Sequence, residues 1–200
     1  MTKSIGIKSI TRVFKKQAKY DIEIENNHNF FANNLLVHNS SASFITPIDE
    51  ETMVCSRRQN LKDGNNVYWK IARKYNLLNF FKGLGVSGEI YGDGIQSNHL
   101  GINGIDFAVF NVKDLMTNTL YSPQELTDFC IAHDLKKVPI IKVVKSQDLP
   151  SIDELQEFAN TLRYPNGAYA EGIVLRPMKV TYSQVLQKAL SVKIISQKFK

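Results

Sequence analysis

Asn29-Phe30-Phe31-Ala32-Asn33-Asn34-Leu35-Leu36-Val37-His38-Asn39-Ser40 is the stretch on which the reading of this chain turns. A His-Asn pair followed at once by a hydroxyl allows a backbone to cut itself. The asparagine amide attacks its own main-chain carbonyl, closes a succinimide and releases whatever follows. Histidine is the side chain suited to proton transfer near neutral pH, so His38 can supply the proton that this cleavage needs. Ser40 can take an acyl group once a base draws off its proton. The stretch predicts a boundary, with residues 1–39 removable and a working protein that begins at Ser40.

The two sides of that boundary differ in texture. Tyr20-Asp21-Ile22-Glu23-Ile24-Glu25 alternates apolar and acidic residues with the two-residue period of a half-buried strand. Asn26-Asn27 and Asn33-Asn34 supply turns, since asparagine tolerates the left-handed conformation. Residues 4–14, 19–25, 28–32 and 35–38 read as strands, with no helix. That is too little for an independent core, so this segment needs a partner.

After Ser40, strands are expected at 40–46, 52–57, 86–91, 106–112, 172–177 and 190–195, and a helix over 66–82. Ser122-Pro123-Gln124-Glu125 and Ser151-Ile152-Asp153-Glu154 carry the hydroxyl and third-position glutamate of a capping box. The mixture predicts an α+β domain with a largely antiparallel sheet.

The 200 residues carry a net charge of +6. Up to Asn39 there are six Lys/Arg against three Asp/Glu, and nineteen against sixteen afterwards. The first segment is proportionally the more basic, which suits an acidic mate. No apolar run is long enough to cross a membrane. Cys55 and Cys130 show neither metal spacing nor a disulfide framework, so a reducing, cytoplasmic setting is expected.

Over about twenty positions, Tyr20 to Glu25, His28 to Asn33 and Leu36 to Ser40 resemble the two C-terminal motifs of inteins. The resemblance implies a Hint-type all-β segment in which Asn39 cyclises and His38 assists it. It makes His28 the histidine that activates the scissile peptide, Asp21 the acidic residue of the first steps, and Ser40 the acyl acceptor. The chain starts Met1-Thr2, with no room for the N-terminal intein motifs. Residues 1–39 are therefore expected to be the C-terminal part of a split intein.

Beyond Ser40 five short motifs stand in order: Cys55-Ser56-Arg57-Arg58, Gly88-Glu89-Ile90-Tyr91-Gly92, Asp106-Phe107-Ala108-Val109-Phe110-Asn111-Val112, Glu171-Gly172-Ile173-Val174-Leu175-Arg176 and Ser191-Val192-Lys193-Ile194-Ile195. In this order they resemble the covalent nucleotidyltransferases, most closely ATP-dependent RNA ligases. The implied fold for 40–200 is the α+β nucleotidyltransferase (ATP-grasp-like ligase) domain. By the same resemblance Phe110 (Phe107 as second choice) stacks on adenine and Glu89 takes the ribose. Arg57 (or Arg58) and Lys193 meet phosphates, and Glu171 binds Mg²⁺. The Lys-x-Asp-Gly nucleophile motif of that family is missing, because His38-Asn39 stands in its place and Lys62-Asp63-Gly64 has the wrong spacing. Ser40-Ser41-Ala42-Ser43-Phe44 looks like the residues that follow it.

The expectation is trans-splicing with an N-terminal polypeptide that carries both the missing intein half and the Lys-x-Asp-Gly motif. The restored ligase uses ATP and Mg²⁺ to seal 5′-phosphate to 3′-hydroxyl RNA ends, and the unspliced chain is inactive. The alternatives are a DNA ligase or capping-type nucleotidyltransferase fragment on DNA or RNA ends, or a non-catalytic nucleic-acid-binding module.

Overall fold

The computed structural model describes residues 29–32, 35–38, 40–57, 59–78, 81–95, 98–185 and 188–199. Strands β1 (Asn29–Ala32) and β2 (Leu35–His38) pair antiparallel, Asn29 with His38 and Ala32 with Leu35; the turn expected at Asn33-Asn34 lies outside the described residues. The strands expected at 4–14 and 19–25 lie outside the described residues.

A five-stranded antiparallel sheet begins one residue after Ser40. It contains β3 (Ser41–Thr46), β4 (Met53–Ser56), β5 (Leu84–Gly92), β6 (Ile105–Asp114) and β7 (Thr119–Leu120), in the order β4-β3-β5-β6-β7. Its two faces follow from the two-residue period of β-strands. Ala42, Phe44, Val54, Val86, Ile90, Phe107, Val109 and Val112 are buried in one core. Helices α1 (Val67–Lys74) and α2 (Pro123–Ala132) pack against this sheet. Phe107 meets Phe44 edge-on with ring centroids 5.3 Å apart. Burying a side chain of this size stabilises the fold by roughly 1.5–3 kcal/mol.

The other face is polar. Ser41 stands opposite Glu89 and Ser43 opposite Ser87, with the two hydroxyls of Ser43 and Ser87 2.7 Å apart.

The alternation is interrupted once. Ser87 pairs with Asn111 and Gly88 with Val109, so Phe110 has no partner on β5 and forms a β-bulge. The extra residue shifts the parity of β6 and lets Phe107, Val109 and Val112 all point into the core. Gly88 makes this possible. A Cβ there would lie 2.4 Å from the Ala108 carbonyl oxygen and 2.5 Å from the Phe107 ring.

Helix α1 starts where Asn66 accepts the Trp69 N–H at 3.1 Å. It ends well before residue 82, contrary to the helical spacing, because Asn76 turns left-handed at φ +51° immediately after the C-cap Tyr75. Both predicted capping boxes are present, on α2 at Ser122–Glu125 and on α3 (Ile152–Thr161) at Ser151–Glu154.

Asp106, 6% exposed, ties the end of β6 to its surroundings. Its carboxylate accepts from Lys136 Nζ at 2.5 Å, the Tyr75 hydroxyl, the Phe107 N–H at 2.9 Å and Lys74 Nζ at 3.4 Å. Burial alone would raise its pKa, but these donors hold the carboxyl well below the usual range.

Strands β8 (Gly172–Leu175) and β11 (Val192–Ile195) form a separate antiparallel pair, and α3 packs on it. The excursion between them carries a two-stranded ribbon, β9 (Tyr182–Ser183) and β10 (Lys188–Ala189). Among the described residues no helix is long and apolar enough to cross a membrane.

Candidate active site

Two points of contact join the five-stranded sheet and its loops to the chain around the β8–β11 pair. Arg176, just after β8, donates from Nη1 to the Phe110 carbonyl at 2.6 Å and to Asn111 Oδ1 at 2.8 Å. Its guanidinium also stands over the Phe110 ring, 5.8 Å from the centroid. Burial pushes the guanidinium pKa down from its ordinary value. At the second point, Asn166 Nδ2 donates to the His99 carbonyl at 2.8 Å, and the His99 and Phe199 rings lie 4.5 Å apart.

Tyr164 braces the approach to β8. Its hydroxyl accepts the Glu171 N–H at 3.4 Å. Burial pushes this hydroxyl's pKa up, and the charges of Glu171 and Glu89 act in the same direction, against the lowering effect of the Glu171 N–H bond.

Glu89 is held from β3. Ser40 donates its hydroxyl to Glu89 Oε1, and Ser41 donates to Oε2 at 2.8 Å. Ser40 is 3% exposed, and its carbonyl accepts the Ile90 N–H at 3.0 Å. Two serine hydroxyls thus fix the plane of this carboxylate, and the strand register sets which residue they reach.

Glu171 lies immediately before β8. Lys193, at the register position opposite Val174 on β11, brings Nζ within 2.6 Å of Glu171 Oε1. The resemblance assigned Lys193 to phosphate. The fold supplies Glu171 instead, and leaves Lys193 about half exposed. Gly172 has φ +148°, and a Cβ there would lie 2.0 Å from the Ile194 carbonyl oxygen, so only glycine lets the two strands close at this point.

The two candidate aromatic residues separate clearly. Phe107 is buried in the core and has no face to offer, whereas Phe110 is half-buried beneath Arg176. Arg57 is exposed one residue past Ser56, at the end of the sheet where Ser41 faces Glu89. Its alternate, Arg58, lies outside the described residues, as do Asp21, His28 and Asn39. For His38 only the backbone pairing in β2 is described.

Glu89 and Phe110 thus stand on the neighbouring strands β5 and β6, and Glu171 and Lys193 form an ion pair at the start of β8. Two contributors escaped the sequence reading, Arg176 and Tyr164. Arg176 carried a signal, since it directly follows the Glu171–Leu175 run, but Tyr164 sits in an ordinary turn sequence.

A five-stranded antiparallel sheet with flanking helices and a small second sheet make a nucleotidyltransferase-type ligase fold. Residues 30–195 match the protein-family model described as RNA ligase, and the chain belongs to that family. A variant of Naegleria gruberi RNA ligase solved with ATP and Mn is similar over 79% of this chain and 47% of that chain, at 24% identity and a TM-score of 0.68. An apo variant of the same enzyme gives 24% identity and a TM-score of 0.65, over 79% and 46%. A third, with AMP and Mn, gives 23% and 0.64, over 79% and 46%. This likeness establishes the fold, and the chain spans about half the length of those ligases. No curated protein matches the chain.

Proposed function

We propose that residues 40–200 are the C-terminal part of an ATP-dependent RNA ligase and that residues 1–39 are the C-terminal part of a split intein. Trans-splicing removes the intein segment and joins Ser40 to a partner polypeptide that carries Lys-x-Asp-Gly. The observation that carries this reading is the position of Ser40. It is buried at the entrance to β3 with its hydroxyl on Glu89, yet the residues before it are Leu36-Val37-His38-Asn39, which hold no lysine. The sheet is built up to the junction, and the nucleophile belonging upstream of it is supplied from another chain. The β1–β2 pair is compatible with an intein segment. The family match starts at residue 30 and so includes this pair.

The residues present fit a nucleotide and a divalent cation. Phe110 has an accessible face, Glu89 is oriented by two hydroxyls, and the Glu171 side chain keeps a third of its surface open. Bound ATP supplies an electrophilic α-phosphorus with a pyrophosphate leaving group, and the divalent cation neutralises phosphate charge.

The chain's own contribution is positioning and electrostatics. Phe110 orients the base by stacking, with Arg176 fixing the bulge beneath it. Glu89 accepts from the ribose hydroxyls. Arg57 meets phosphate at the same end of the sheet. Lys193 exchanges its ion pair with Glu171 for phosphate oxygens, which frees the Glu171 carboxylate as a hard oxygen donor suited to Mg²⁺ or Mn²⁺. The restored enzyme passes AMP to an RNA 5′-phosphate and seals it to a 3′-hydroxyl. The free thiols of Cys55 and Cys130 support a reducing, cytoplasmic setting.

The test mixes the chain with a polypeptide ending in Lys-x-Asp-Gly followed by a split-intein N-terminal half. Mass spectrometry should show loss of residues 1–39 with the wild-type chain and none with Asn39→Ala. Labelled ATP should leave a covalent AMP adduct on the spliced product only. An adduct on this chain alone would contradict the assignment of the nucleophile to the partner.

A further inference from the structure

Val138-Pro139-Ile140-Ile141-Lys142-Val143-Val144 is a nearly unbroken run of β-branched aliphatic residues. Such a run, without polar alternation, is the pattern of a strand covered on both faces. The chain forms no strand there. Residues 139–145 carry neither helix nor strand, and Ile140, Ile141 and Val143 are each more than half exposed. Among the described residues, no hydrogen bond holds the main chain of 140–144. A segment suited to a sheet interior therefore lies in water, and a contiguous apolar patch of this kind marks an interaction site.

The run is tethered to the five-stranded sheet where it begins. Val109 of β6 donates its N–H to the Lys136 carbonyl at 2.8 Å and accepts the Val138 N–H at 2.9 Å, a parallel bridge opposite Lys137. Across the sheet this row reads Ala42, Gly88, Val109, Lys137. Ser40 stands two residues before Ala42, at the entrance to β3. With strands about 4.8 Å apart, three spacings place Lys137 about 14 Å from β3, a span of roughly four or five extended residues.

That position selects the occupant. The polypeptide proposed to be spliced onto Ser40 reaches the sheet at this end. It also brings ligase sequence that this chain lacks, since the chain spans only 47% of the matched ligase. Its residues just ahead of the junction are within reach of 139–144. The unbonded main chain sets the mode of contact. A cover that buried these amides and carbonyls without bonding them would be opposed by their desolvation. The occupant therefore contributes a strand, as in recognition by strand addition.

We propose that residues 139–144 are the docking seam for the ligase half of the partner polypeptide, which adds a strand along them. The identity of the occupant rests on the trans-splicing reading above. The seam itself rests on the sequence pattern, the exposure and the unbonded main chain. Docked there, the two ligase halves hold together independently of the intein and stay associated once residues 1–39 leave.

Hydrogen exchange read by mass spectrometry tests this on the full-length chain, alone and mixed with a polypeptide that ends in Lys-x-Asp-Gly and carries no intein half. Amides 140–144 should exchange freely in the chain alone and slow by at least about tenfold in the mixture and in the spliced product, with α2 and α3 unchanged. Isothermal titration calorimetry reads the affinity. Ile141→Asp/Val143→Asp alters two exposed positions, should keep the wild-type melting temperature, and should weaken the association by about a hundredfold. The exchange measurement needs no variant, so it decides the matter if the double variant folds poorly. Free exchange of 140–144 in the spliced product, or a double variant that binds as tightly as wild type, overturns the proposal. So does dimerisation of the chain alone that the double variant abolishes, because the occupant is then a second copy. The splicing reading is judged separately, by loss of residues 1–39 with an intein-bearing partner.

Discussion

Gly88→Ala is the most informative single change in this fold, because one methyl group strikes both the core and the site. The added Cβ would sit 2.4 Å from the Ala108 carbonyl oxygen and 2.5 Å from two carbons of the Phe107 ring. A comfortable carbon–oxygen approach is about 3.3 Å, so the strands must part by roughly 1 Å or the ring must swing. The ring has little freedom, since Phe107 is 1% exposed and wedged edge-on against Phe44. Overpacking of this kind costs about 1–3 kcal/mol. At about 2–4 °C per kcal/mol for a domain of this size, melting falls by roughly 2–12 °C.

The natural control is Gly85→Ala on the same strand, where the new Cβ meets nothing closer than 3.6 Å. There the loss of unfolded-state freedom should stabilise the chain by about 0.4–1 kcal/mol. Urea denaturation followed by circular dichroism reads both. If Gly88→Ala has the wild-type midpoint, the bulge yields freely and the account of why glycine stands there is wrong. If Gly85→Ala is destabilised equally, the strand tolerates no side chain and the specific clash explains nothing.

Further outcomes are expected at other positions. The Asp106 carboxyl has its folded-state pKa lowered by its donors, so the unfolded chain takes up the proton first as the pH falls. The stability it contributes is complete at neutral pH and is lost as the pH drops below about 4 toward the folded-state value. Asp106→Asn should lower the urea midpoint at pH 7 and flatten the acid decline between pH 5 and pH 3; a parallel curve would argue against this role. Lys193→Ala removes a half-exposed ion pair and should change stability by no more than about 1 kcal/mol, while abolishing AMP adduct formation by the spliced product. A large stability loss with adduct formation intact would make the pair structural. Arg176→Ala cuts the link to the Phe110 carbonyl and Asn111. It should accelerate amide hydrogen exchange in residues 110–112 and in β8 while β3 stays protected.

Several features were legible before any fold was known, because they are local. The capping boxes of α2 and α3 need only a hydroxyl and a glutamate three residues apart, and both formed as written. The strand cores follow from alternation. Glu89, Phe110, Glu171 and Lys193 were named because each stands in a short motif of stated chemistry.

What sequence alone could not decide lies in register and in contacts between distant segments. Alternation along β6 treats Phe107 and Phe110 as two aromatic residues of one strand. The bulge opposite Gly88 sends one into the core and leaves the other half-buried beneath Arg176. Nothing in the Lys193 motif names its ion-pair partner, Glu171, which stands twenty-two residues earlier. Arg176 acquires its role from residues 110 and 111, sixty-five and more residues earlier in the chain. Residue type and spacing fix what each segment can do locally. Which carboxylate meets which serine, and which phenylalanine stays out of the core, is settled only when strands far apart in the chain lock their hydrogen bonds into one register.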